Sequence, residues 1–149
     1  MNQKRTRRLL IVLVMLAGGF YAFDHFYYKG IQSLEAFSFS YDRFDRAISE
    51  FSLTGTADSE RQVDGGLRDL RSKAAFRLSS LIKNDGKLMS EALEVAELSG
   101  RELASLKACQ GAIQNKNAGG DELSKELGVL SGKRKAAFAR FRELAGKGE

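Results

Sequence analysis

From position 34 the apolar residues recur in steps of three and four: Leu34, Phe37, Tyr41, Phe44, Ile48 and Phe51. That spacing puts them on one stripe of an α-helix and follows a heptad. The stripe predicts a helix over 31–54, stopping at Thr54-Gly55-Thr56, where glycine can take the left-handed conformation that ends a helix. A second stripe, Val63, Leu67, Leu70, Ala74, Leu78 and Leu81, predicts a helix over 58–83 with Asp58 or Ser59 as its cap. Asn84-Asp85-Gly86 then reads as a turn. Met89, Ala92, Ala96, Leu103, Leu106 and Ile113 predict a third helix over 87–117, closed by a loop rich in asparagine and glycine. Asp121 caps a fourth over 121–146, with the stripe Leu123, Leu127, Leu130, Ala137, Phe141 and Leu144.

Four helices of similar length with short connections favour an antiparallel, up-down-up-down four-helix bundle over 29–149. The fold class is therefore all-α. An alternative is a long helical hairpin, because Leu81, Asp85, Leu88 and Ala92 keep the heptad across the turn and would fuse the second and third helices.

The N-terminus follows a different pattern. Leu9 to Phe23 is an uncharged run of fifteen residues, about 22 Å long as a helix and short of a ~30 Å hydrocarbon core. Phe20, Tyr21, Phe23, Phe26, Tyr27 and Tyr28 extend it into the headgroup zone, where amphipathic rings settle. The expectation is a transmembrane signal-anchor over 9–28, bounded by Leu9 and by the interfacial Phe23, Phe26, Tyr27 and Tyr28, and continuing into the first bundle helix. A cleaved signal peptide is the alternative, with a small-residue site at Ala17-Gly18-Gly19. Gly18 and Ala22 make a small-xxx-small pair through which two anchors would form a homodimer, although small residues are common in membrane helices generally.

Charge fixes the orientation. Of 24 basic residues, Lys4, Arg5, Arg7 and Arg8 lie in the first eight positions, and the remaining 20 nearly balance 19 acidic residues. The basic excess is thus a cytoplasmic flank of residues 1–8 rather than a nucleic-acid face. Only Lys29 and His25 follow closely, so the positive-inside bias sends the bundle to the periplasmic or extracellular side of a bacterial plasma membrane.

Candidate chemistry is sparse. The chain has one cysteine, Cys109, and one histidine, His25, which excludes a disulfide framework and a cysteine-rich zinc site. Cys109 has no base near it in sequence and reads as a packing residue; His25 reads as an interfacial one. Glu91, Glu94 and Glu97 lack the Glu-x-x-His partner of a di-iron bundle. No catalytic, cofactor or metal-ligating set is expected, nor any enzyme activity. The most uneven charge is Lys133, Arg134, Lys135, Arg140 and Arg142, a candidate docking face for anionic headgroups or a protein partner. Basic residues near a helix C-terminus also complement the helix dipole.

The stretch Ala47 to Thr56, with Leu53-Thr54-Gly55 at its end, resembles the close of the first helix in the extracellular four-helix-bundle sensor domains of bacterial chemoreceptors and sensor histidine kinases. The resemblance implies a membrane-anchored bundle that binds small molecules. Neither a second membrane helix nor an output module is expected after Glu149. The function expected is thus a non-enzymatic accessory, assembly or structural partner of a membrane complex. A sensor-like, small-molecule-binding bundle is the alternative.

Overall fold

The computed structural model describes residues 3–23, 29–75, 85–114 and 120–146. These form five helices: α1 Gln3–Phe23, α2 Lys29–Thr54, α3 Ala57–Ala74, α4 Asp85–Gln114 and α5 Gly120–Gly146. Among the described residues there is no strand. The helix boundaries follow local chemistry. Gly55 sits at φ 59° and its N–H donates to the Phe51 carbonyl at 2.9 Å, closing α2. Thr56 caps α3 by accepting the Ser59 N–H at 3.3 Å, so the cap lies just before the expected Asp58 or Ser59. Asp58 and Glu60 sit in the first turn of α3 and Arg71 and Lys73 in its last, each charge complementing the helix dipole.

Helices α2 to α5 form an up-down-up-down bundle. Ser40 of α2 donates to Asp69 of α3 at 2.6 Å. Lys107 of α4 reaches back to Glu60 and Asp64 of α3 at 2.8 and 3.0 Å. Arg140 of α5 pairs with Glu91 and Glu94 of α4 at 2.9 and 3.0 Å. The square is closed by rings: Tyr41 stacks on Phe138 at 3.5 Å between centroids, and Phe37 meets Phe141 edge-on at 4.8 Å. The core runs through Phe37, Phe44, Val63, Leu70, Val95 and Phe141, all buried.

The fused-hairpin alternative fails on this packing. In one continuous rod, Asp64 and Lys107 would lie about 65 Å apart at 1.5 Å per residue; instead they form an ion pair. The expected ends of the second and third helices, including Leu78, Leu81, Asn84 and residues 115–117, lie outside the described residues. Met89 and Ile113, both expected in the core, are 39% and 67% exposed, while Leu88, Val95 and Leu98 are buried. Helix α4 packs on both α3 and α5, so its buried arc is wider than a single heptad stripe.

Along α1, Leu10 to Leu16, Phe20, Tyr21 and Phe23 are all 50–78% exposed, and none belongs to the core cluster. Among the described residues no helix is long and apolar enough to cross a membrane. The expected span over 9–28 is therefore not established by α1. The Leu9 side chain and Phe26, Tyr27 and Tyr28 lie outside the described residues, as does the expected join between anchor and bundle.

Candidate ligand cleft beside a buried arginine

A heptad stripe should carry an apolar residue near position 134, between Leu130 and Ala137. The chain places Arg134 there, and its side chain is 1% exposed. Two carboxylates from facing helices hold the guanidinium. Its Nε donates to Glu102 Oε2 of α4, itself buried, and its Nη2 donates to Asp45 Oδ1 of α2 at 2.6 Å. The guanidinium carbon lies 5.2 Å from the Tyr41 ring centroid and 5.5 Å from that of Phe44, within cation–π range.

This arrangement reconciles a charge with a core. Burial pulls the Arg134 pKa down, but the hydrogen bond and charge of Glu102, with Tyr41 and Asp45, outweigh it and leave a net upward shift. The same burial pushes the Tyr41 phenol up to about 12; the Arg134 charge opposes that rise, and Asp45, Glu102 and Asp42 add to it. One valence remains open. Arg134 Nη1 is buried and has no acceptor among the protein's own atoms. Native structures rarely leave such a group without a partner.

Arg134 also lines a cleft of about 460 Å³ between α2, α4 and the first half of α5. Ile48, Leu53, Leu106 and Leu127 supply its apolar wall, and Ser52, Ser124 and Ser131 supply hydroxyls. The charged groups around it are Arg134 and Lys135 against Asp45 and Glu102. A second groove of about 440 Å³, between α4 and α5, holds Glu94, Glu97, Arg101, Lys133 and Arg140. Its charges compensate one another, with Arg140 bound to Glu91 and Glu94.

The basic docking face expected from Lys133, Arg134, Lys135, Arg140 and Arg142 does not assemble as a face. Consecutive helix residues point about 100° apart, so Lys133 faces the α4 groove, Arg134 the core and Lys135 the cleft. Arg134 is sealed from any headgroup, and Arg140 is already paired; Lys133, Lys135 and Arg142 are exposed. Cys109 is buried on α4. Among the described residues no group of three or more His, Cys, Asp or Glu side chains could hold a metal.

Sequence reasoning missed the buried arginine, although its signal was present. The α5 stripe jumps seven residues from Leu130 to Ala137, and the α4 stripe jumps seven from Ala96 to Leu103. Arg134 falls inside the first gap and Glu102 at the end of the second, and the structure pairs them between facing helices. No protein-family model, characterised protein or solved structure matches this chain, so its residues alone carry the functional reading.

Proposed function

We propose that this chain is a non-enzymatic, single-pass membrane protein whose bundle stands on the periplasmic or extracellular side of a bacterial plasma membrane. There it serves as an accessory or assembly partner of a membrane complex. The observation that carries the reading is the contrast between the two parts. Helices α2 to α5 close a core of their own, while α1 keeps ten large apolar side chains exposed between Leu10 and Phe23. Exposed apolar surface on that scale marks a membrane or protein contact. Lys4, Arg5, Arg7 and Arg8 before the run, against Lys29 after it, set the N-terminus in the cytoplasm. A run shorter than the hydrocarbon core is accommodated by local thinning of the bilayer and by snorkelling of the flanking basic side chains. Residues at the bilayer surface favour partners that are themselves membrane proteins, with anionic headgroups as secondary contacts for Arg142 and a homodimer through Gly18 and Ala22 as a further assembly.

Membrane fractionation tests the tether. The full chain should stay in the membrane through an alkaline carbonate wash, and a chain lacking residues 1–28 should be soluble and helical. Recovery of the full chain in the soluble fraction would end the proposal. The partner role predicts one membrane protein that co-purifies reciprocally in mild detergent; a chain recovered alone in repeated preparations would remove it.

A further inference from the structure

The two ends of the bundle differ in charge. Ser40 of α2 meets Asp69 of α3, and Arg140 of α5 meets Glu91 of α4, so the start of α2 shares one end with the close of α3, the start of α4 and the close of α5. The outer turns at that end, residues 29–36, 70–75, 85–93 and 140–146, carry six cations and four carboxylates. At the opposite end, residues 48–54, 57–64, 105–114 and 120–127 carry three cations and seven carboxylates. Lys73, Lys87 and Arg142 are exposed and, among the described residues, none is held by a carboxylate as Arg140 is. With Lys29, each helix of the bundle places a cation at this end.

Helix stability explains only half of this collar. Lys73 and Arg142 lie near helix C-termini, where a cation complements the dipole. Lys29 opens α2, whose first turn holds no acidic residue, and Lys87 lies in the first turn of α4. A cation at those positions meets the positive end of the dipole and weakens the helix. The collar is also the end nearest α1, which closes at Phe23, six positions before Lys29. An anionic bilayer attracts basic residues held near its surface, by roughly fivefold in affinity for each Lys or Arg. The same surface repels the acidic far end, so both poles favour one upright orientation. We propose that Lys29, Lys73, Lys87 and Arg142 seat the bundle on the phosphates of anionic lipids around its own tether. The inference rests on the tether proposed above.

The test uses the full-length chain, ¹⁵N-labelled and held in nanodiscs of phosphatidylcholine, with or without added phosphatidylglycerol, doped with a gadolinium-chelating headgroup lipid. Paramagnetic broadening of the backbone amides of Lys73, Lys87 and Arg142 should be at least twofold stronger in the anionic discs, and raised salt should remove the difference. The variant Lys73→Gln/Lys87→Gln/Arg142→Gln should fall to the phosphatidylcholine level with helicity unchanged, because all three side chains are exposed. Arg61→Gln/Lys125→Gln removes two exposed cations from the far end and should leave the effect intact. Amides of residues 20–23 report the tether separately and should broaden in both discs. If they broaden while the collar responds equally to the two lipids, the docking is overturned and the tether stands, leaving the collar to an acidic protein partner. Their failure to broaden in either disc overturns the tether and the docking with it. A lipid-charge effect that survives the triple variant, or that the far-end pair abolishes, also overturns the collar.

Discussion

Arg134→Met replaces the buried guanidinium with an apolar chain of similar length and leaves Glu102 4% exposed without its partner. Breaking one side of a buried pair typically costs about 3–5 kcal/mol, because the remaining charge is stranded away from water. Against the 5–15 kcal/mol that holds an ordinary domain together, that loss is a large fraction. Urea unfolding followed by circular dichroism at 222 nm should therefore show a sharply lower midpoint. The double variant Arg134→Met/Glu102→Met removes both charges and should recover most of the loss, since an apolar replacement of a whole buried pair is often neutral or better. A single-variant cost below about 1 kcal/mol, or a double variant as unstable as the sum of the singles, would refute a buried, coupled pair.

Three further outcomes follow from the geometry. Gly55→Ala should destabilise the bundle by about 1–2 kcal/mol, read as a lower urea midpoint at constant slope, because φ 59° strains any residue with a Cβ. Gly65→Ala should stabilise the bundle by about 1 kcal/mol, read as a higher urea midpoint, since it lies inside α3 and its Cβ would meet nothing within 4 Å. Spectrophotometric titration near 295 nm, compared with Tyr41→Phe, should place the Tyr41 phenol near 12. Between pH 10 and 12 the unfolded chain loses that proton while the folded one keeps it. Stability present below pH 10 is therefore lost as the pH rises through this window, and the loss should be absent in Tyr41→Phe.

The parts legible in the sequence are those where one rule dominated. Every stripe residue of α2 from Phe37 to Phe51 is buried, because this helix presents one apolar face and ends at a glycine that only a left-handed turn requires. Periodicity was less informative for α4, whose contact with two neighbours buries Leu88 and Val95 outside the expected stripe. It failed at α5 for a different reason. Residue type alone assigns Arg134 to the surface, and only the pairing of its gap with the one before Leu103 shows a charge that two facing carboxylates make tolerable inside. The cleft follows from tertiary packing of α2, α4 and α5, which no local pattern encodes. The helix end at Leu53-Thr54-Gly55 has a sufficient local cause: Thr54 Oγ1 lies 2.9 Å from both the Glu50 carbonyl and the Ser59 hydroxyl, and Gly55 supplies the left-handed turn.

The proposed membrane tether and its orientation are tested most directly by thiol accessibility in spheroplasts. Cys109 is buried and is first replaced by serine; reporter cysteines are then placed at Arg61, whose side chain is 82% exposed on α3, and at Asn2 before the apolar run. In spheroplasts a membrane-impermeant maleimide should modify Arg61→Cys at once and Asn2→Cys only after lysis. Modification of Arg61→Cys only after lysis, or of Asn2→Cys in intact spheroplasts, would contradict a bundle tethered outside the plasma membrane.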